Sequence, residues 1–317
     1  MSDGSDRVAV GVDLGGSHVM AAVVDEHGKI GTRREIDLTD LQPANVVTAL
    51  VGCVRQALAD AKGRTVAGIG IGSPGRIDVR TGTVRYSPNF AWRDVTLGAM
   101  VSKELQTNVQ VINDARAATL GEHTFGAGRG TRNFVMLTLG TGIGGGIVMD
   151  GKLVFGDGWT TGEVGHHQIR AHHGFVCSCG KTGCFEAHAS GTGLLRHLLD
   201  VAPSFPRSTL SHKARKLGSK AVREAAQAGD RHALEAWSRW IGDLAIGLAN
   251  LVSILNPERI ALGGGVSKAD EFMLAPLVPR VRALTTMADP EGFQIVAAEL
   301  ANDAGAIGAA TYVLRGT

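Results

Sequence analysis

Apolar positions near the start of the chain fall into two short runs separated by a polar, glycine-rich break. Val8 to Val12 is apolar up to Asp13, Gly15-Gly16-Ser17 interrupts, and Val19 to Val24 follows before Asp25-Glu26-His27-Gly28. Each run is short and bounded by turn residues, which predicts two buried strands. The pattern returns more than a hundred residues later. Phe134 to Leu139 predicts a strand, Gly140 to Gly146 a turn, and Ile147-Val148-Met149 a return strand closed by Asp150-Gly151. Two strand–glycine turn–strand units predict two lobes with similar cores, each offering backbone N–H groups to a ligand.

Between these units the period changes. From Pro43 to Ala61, Val46, Val47, Leu50, Val54, Ala57 and Leu58 share one face, as in an amphipathic helix. Val66 to Ile71 predicts a strand, followed by the sharp turn Gly72-Ser73-Pro74-Gly75. Val109 to Ile112 predicts another strand, and Asn113-Asp114 at its end opens a helix that starts over Ala115 to Gly121. A polar pair at the carboxyl edge of a strand is where open α/β sheets place ligands. Asp230 to Leu255 predicts a long apolar helix, Arg259 to Leu262 a strand, and Gly263 to Ser267 a turn. Gly305 to Leu314, small and apolar, suits a closely packed terminal helix, and Ala202 to Gly218 reads as an exposed loop.

Composition narrows the classes. The 317 residues are 44% hydrophobic, enough for a two-lobed core. No apolar run of the sequence reaches the length of a membrane span. A net charge of +2 without a basic block, and 5% aromatics, argue against nucleic acid as a partner. Met1-Ser2-Asp3-Gly4 lacks the basic and apolar regions of a signal peptide, so a reducing, cytoplasmic location is expected.

Candidate chemistry concentrates in one stretch. Three of the four cysteines, Cys177, Cys179 and Cys184, lie within eight residues and follow Gly162-Glu163-Val164-Gly165-His166. A disulfide would leave one of the three unpaired, whereas thiolates with an imidazole form the set a structural zinc prefers. Spacing alone leaves His166, His167, His172 and His173 open as the fourth ligand. Cys53, alone in an apolar helical stretch, reads as a small buried hydrophobe. Gly140-Thr141-Gly142-Ile143-Gly144-Gly145 matches G-x-G-x-x-G, but a strand follows where a dinucleotide fingerprint needs a helix. Gly180-Lys181-Thr182 fails as a Walker loop because Phe175 stands where the upstream glycine belongs. What remains is a glycine hairpin that binds phosphate through backbone amides, with Asp13 suited to hold Mg²⁺ through water.

Four stretches together resemble the ROK family of sugar kinases and repressors, within the actin/hexokinase-like superfamily. They are Asp13-Leu14-Gly15-Gly16-Ser17, Leu139 to Ile147 continuing to His166, Cys177-x-Cys179-Gly180-x-x-Gly183-Cys184-x-Glu186, and Leu262 to Ser267. The resemblance covers essentially the whole chain. It implies an α/β, two-lobed actin-like ATPase (ribonuclease H-like) fold with a zinc-stapled loop in the larger lobe. The implied small lobe is 1–115 plus about 300–317, and the large lobe 116–299. It implies Asp114 as catalytic base, and Gly75, Asn89, Asn113, Glu163, His166 and Glu186 as sugar-binding residues together with Asp114. Nucleotide and phosphate contacts would come from Asp13, Gly15, Gly16, Ser17, Thr141, Gly142, Gly264 and Gly265. His166, Cys177, Cys179 and Cys184 would hold the structural zinc, which selects His166 over His167. The implied reaction is ATP- and Mg²⁺-dependent phosphorylation of a hexose at the 6-hydroxyl. Glucose comes first, with N-acetylmannosamine or N-acetylglucosamine the alternative and fructose or mannose behind. A dimer or tetramer is implied as well. A sugar-responsive regulator would need a DNA-binding segment, and only a dozen residues precede Asp13. A non-catalytic sensor would have no use for Asp114. Ser17-His18 departs from the Thr-Lys of many relatives: the hydroxyl is kept and the long cation is lost.

Overall fold

β1 (Arg7–Leu14) and β2 (His18–Asp25) pair antiparallel, from Val8 opposite Asp25 to Leu14 opposite Val19. The apolar runs are buried throughout, and Gly15-Gly16-Ser17 makes the exposed turn. In the computed structural model, residues 7–210, 217–265, 269–289 and 291–316 are described. β3 (Arg34–Asp37), α1 (Pro43–Leu58) and β4 (Thr65–Ser73) follow, then the small strands β5 (Arg76–Asp78), β6 (Thr83–Ser87) and β7 (Trp92–Val95). α2 (Leu97–Leu105) leads to β8 (Val109–Asn113) and α3 (Asp114–Phe125). The first sheet has the order β3-β2-β1-β4-β8, with β4 parallel to both β1 and β8. α1 covers it with the predicted face: Val46, Val47, Leu50, Val54 and Ala57 are buried with Val10, Val12, Val19 and Val23.

The second half repeats the plan. β9 (Phe134–Leu139), β10 (Ile143–Met149) and β11 (Lys152–Leu153) precede α4 (Phe185–Ala189), α5 (Gly191–Val201), α6 (Ser219–Gln227) and α7 (Arg231–Leu255). β12 (Arg259–Gly263), α8 (Glu271–Leu284), β13 (Gln294–Ala297) and α9 (Ala304–Arg315) complete the chain. The sheet order β11-β10-β9-β12-β13 matches that of the first sheet, again with two parallel strands beyond the hairpin. The two hairpins thus head two sheets of one topology. The return strand β10 starts at Ile143, four residues before the sequence suggests, and the turn shrinks to Gly140–Gly142. Its glycines permit a close approach: a Cβ on Gly146 would lie 2.2 Å from Thr119 Oγ1.

Two compact units result. The first takes in Met1–Arg132, Gly146–Gly162 and Glu299–Thr317; the second takes in Asn133–Gly145 and Glu163–Ala298. The first is larger than 1–115 plus 300–317 because α3 and the 146–162 segment pack within it. Arg116, fully buried, donates to Trp159 O at 2.9 Å and Thr161 O at 2.7 Å. α9 lies against α3, β1 and β4. A Cβ on Gly11 or Gly70 would sit 1.9 Å from a carbonyl of α9, so only glycine lets that helix rest on the sheet. In the second unit α7 packs against α5, α6 and α8. It is the one described helix long and apolar enough by composition to cross a membrane, and 56% of its apolar window is buried in the protein. Asp230 caps α7 by accepting from Ala233 N at 2.9 Å. Of the expected Ala202–Gly218 loop, Ala202–Ser204 forms a 3₁₀ turn, and 211–216 lie outside the described residues. Val266 and Ser267 of the Gly263–Ser267 turn lie outside them too.

Candidate active site

In the first unit, three parallel strands end side by side. Asp13 pairs with Gly72, and Ser73 pairs with Asn113, so β1, β4 and β8 deliver their carboxyl ends to one edge. Asn113 caps α3 by accepting from Arg116 N at 3.2 Å, and its amide donates to Gly75 O at 3.1 Å. One side chain therefore joins the helix start to the Gly72–Gly75 turn. Asp114 opens the first turn of α3, and its Oδ1 accepts from Ala115 N at 2.8 Å and Asn113 Nδ2 at 2.9 Å. Both bonds, with the positive end of the helix, favour the carboxylate and fix its plane. Asp13 is pushed up to about 6, first by burial and then by the charge of Asp114, with His18 opposing. The two carboxylates thus lie close enough at the strand ends for their charges to repel. Asn89 lies exposed in the turn between β6 and β7. Ser17 and His18 are exposed at the hairpin turn, Ser17 Oγ lying 3.2 Å from His18 Nδ1.

The second unit carries the sulfur-rich stretch. The donor atoms of His166, Cys177, Cys179 and Cys184 all lie within 4.8 Å of one another. Cys177 Sγ is 3.7 Å from His166 Nδ1, and Cys179 Sγ is 3.7 Å from Cys184 Sγ. A tetrahedral ion with Zn–S bonds of about 2.3 Å holds two sulfurs about 3.8 Å apart, so the set fits zinc and is too wide for a disulfide. All four cysteines of the chain are free thiols. Burial and the neighbouring sulfurs push Cys184 up to about 12, while a backbone N–H from Lys181 and its neighbours lower Cys179. His167 turns the other way: its Nδ1 lies 2.5 Å from Val164 O, and burial lowers its pKa. His172 and His173 are exposed and outside the cluster. Cys53 is buried against the carbonyls of Val19 and Arg34.

Glu186 ties this loop to the second glycine turn. Its Oε2 accepts from Ile143 N at 2.9 Å, and its Oε1 accepts from Ser178 Oγ at 2.9 Å. A Cβ on Gly142 would lie 2.3 Å from Oε2, so the turn leaves just enough room for the carboxylate. Gly140 O accepts from Gly191 N at 2.8 Å, and Thr141 O from Thr192 Oγ1 at 2.8 Å. The turn is therefore pinned at the junction of α4 and α5. Glu163 is exposed and precedes the single 3₁₀ turn Val164–His166. Gly264 follows β12 with φ +94° and packs on Leu139, beside Gly265.

Each unit thus gathers its own expected residues. The first brings together Asp13, Gly75, Asn113 and Asp114; the second joins Thr141, Gly142 and Glu186 to the zinc set. The Glu186–Ile143 bond spans 43 residues, and no spacing rule announces it.

A family model described as the ROK family matches residues 9–315. A glucokinase of Halalkalibacterium halodurans is 37% identical over 310 residues, covering 96% of this chain and 94% of its own length. A glucokinase of Thermotoga maritima is 38% identical over 309 residues, covering 96% of each. The crystal structure of a ROK family glucokinase from Streptomyces griseus, in complex with glucose and AMPPNP, superposes with a TM-score of 0.83 at 34% identity. It covers 98% of this chain and all of that one. The architecture is the actin-like ATPase fold.

Proposed function

We propose that this chain, which belongs to the ROK family, is an ATP-dependent sugar kinase that phosphorylates glucose at the 6-hydroxyl. The observation that carries the reading is Asp114: an oriented carboxylate at the carboxyl end of β8, beside the half-buried Asp13. A hydroxyl is a poor nucleophile until a base takes its proton. In this reading Asp114 accepts that proton as the sugar oxygen attacks the γ-phosphorus. The bond to the β–γ bridging oxygen breaks, and ADP leaves. Such a base contributes about 10² to 10⁴ in rate, and positioning and charge stabilisation supply most of the rest.

Gly75, Asn89, Asn113, Glu163, His166 and Glu186 read the sugar hydroxyls in this scheme. Paired donors and acceptors reject an epimer by leaving their own groups unpaired. Gly15, Gly16, Ser17, Thr141, Gly142, Gly264 and Gly265 face the nucleotide with backbone amides and the hydroxyls of Ser17 and Thr141, Gly15 shaping the turn with its own N–H bonded to His18 O. Asp13 is the Mg²⁺ residue: a hard oxygen donor, repelled by Asp114, suits a hard cation, which would neutralise phosphate charge. The Cys₃His set takes zinc as a structural ion, fixing His166 directly and Glu186 through its closeness to Cys184. Assembly as a dimer or tetramer completes the reading; light scattering tests it.

The test is ADP release by the purified protein with Mg-ATP and a panel of glucose, mannose, fructose, N-acetylglucosamine and N-acetylmannosamine. Glucose is expected to turn over far above the rest. A preference for an N-acetylhexosamine replaces the substrate but keeps the reaction, and turnover with polyphosphate alone replaces the donor. Asp114→Asn is expected to lower kcat about 10²-fold or more while glucose still binds. A variant that keeps a tenth of the wild-type kcat removes Asp114 from the role of base.

A further inference from the structure

Behind the zinc loop the second unit buries a charge that the reaction does not use. Asp243 on α7 is 1% exposed, one turn past Trp240 and surrounded by the apolar face of the helix. Its Oδ1 accepts from Arg170 Nε at 3.0 Å and also from Arg170 Nη2. Its Oδ2 lies 2.8 Å from His188 Nδ1. His197 Nε2 is 3.3 Å from the same oxygen but lacks the alignment of a hydrogen bond. Burial alone would raise the pKa of Asp243, and the bond from His188, the nearby His197 ring and the Arg170 guanidinium outweigh it, holding the carboxyl well below its usual range.

His188, His197 and Asp243 also bring their donor atoms within 4.8 Å of one another, as a metal site would. The tautomer argues against that use. Phe175 N donates to His188 Nε2 at 2.9 Å, so the ring proton sits on Nδ1 and points at Asp243. A protonated Nδ1 has no lone pair for an ion, and the Arg170 guanidinium already supplies the positive charge.

Two partners of Asp243, Arg170 directly and Phe175 through His188, lead to the zinc loop. Arg170 lies four residues after His166, and Gly183 O accepts from both Ile169 N at 2.9 Å and Arg170 N at 3.2 Å. Phe175 lies two residues before Cys177; it stacks on His188 with centroids 4.5 Å apart, and its carbonyl accepts from Gly183 N at 2.9 Å. His188 lies on α4, two residues after Glu186 and four after Cys184. One buried carboxylate therefore grips the segment leaving His166 and the helix that carries Glu186 directly, and the segment entering Cys177 through His188.

We propose that Asp243 is a positioning residue: it clamps both flanks of the Cys177–Cys184 loop and the start of α4, and thereby sets Glu186 for the sugar. This rests on the kinase reading above and adds to it a residue from α7 that touches neither sugar nor metal. The test compares Asp243→Asn with wild type by steady-state kinetics, zinc content and amide hydrogen exchange over 169–184. The sugar KM is expected to rise about tenfold, as for loss of a charge-assisted bond, with kcat and the KM for Mg-ATP nearly unchanged and zinc retained. Exchange at the Phe175 and Gly183 amides is expected to quicken. An unchanged sugar KM, or loss of zinc in step with activity, overturns the proposal. Should Asp243→Asn fail to fold, Arg170→Met, at a half-exposed side chain, is expected to raise the sugar KM about threefold and Arg170→Lys to restore most of it. An unmoved KM in Arg170→Met overturns the proposal as well. If the wild type phosphorylates no sugar, the kinase reading fails by itself. Hydrogen exchange still decides the clamp, because unchanged protection at Phe175 and Gly183 refutes it.

Discussion

Asp13→Asn separates what the site does for catalysis from what it costs the fold. Asp13 is half-buried at the end of β1, and desolvation followed by the charge of Asp114 pushes its pKa from 3.8 to about 6. A carboxyl whose folded pKa lies above its unfolded value binds its proton more tightly when folded. Its contribution to stability is whole below pH 3.8 and is lost as pH rises through about 6. The interval corresponds to roughly 3 kcal/mol at about 1.36 kcal/mol per pH unit, reached above pH 7 in protein free of Mg²⁺ and nucleotide. Asparagine keeps the shape and carries no charge at any pH. The variant should therefore be more stable than wild type at pH 8, by up to about 3 kcal/mol, and nearly equal to it at pH 4. For a unit of this size, 1 kcal/mol moves the melting temperature by about 2–4 °C, so the difference at pH 8 should reach up to about 6–12 °C. Thermal unfolding of both proteins at the two pH values, with EDTA, reads it directly. Activity should fall sharply, since the group that favours a cation has gone. A variant less stable than wild type at pH 8, or a difference independent of pH, would refute the buried-charge reasoning.

Gly142→Ala should raise the sugar KM about tenfold or more, because the new Cβ would stand 2.3 Å from Glu186 Oε2 and displace its bond to Ile143 N. Steady-state kinetics with varied glucose checks it, and an unchanged KM would mean that Glu186 does not read the sugar. Cys179→Ala should lose zinc and sugar affinity together. Metal analysis beside glucose binding checks that, and full binding in metal-free protein would confine the loop to a stabilising role.

What the sequence disclosed and what it hid divide along a physical line. Val8–Val12 and Phe134–Leu139 were legible because buried strands announce themselves as short apolar runs, and Asn113-Asp114 because a helix cap is a local signal. The start of the return strand β10 is hidden in the sequence because Gly144-Gly145-Gly146 looks like a turn. Those glycines instead serve packing, and Gly146 makes room for Thr119. The cysteine loop was legible because its donors fall within twenty residues of one another. Asp243 was not, since its partners stand 73 and 55 residues away, and an acid within an apolar helical run looks like an isolated anomaly. That anomaly is itself a usable signal. An ionised carboxylate is costly to bury without partners, so an acid on the buried face of a core helix implies a cation or a ring N–H brought to it from elsewhere in the chain. In this chain Arg170 and His188 meet that demand. Both flank the zinc loop, so the demand of one buried charge in α7 doubles as a constraint on the segment that carries Glu186.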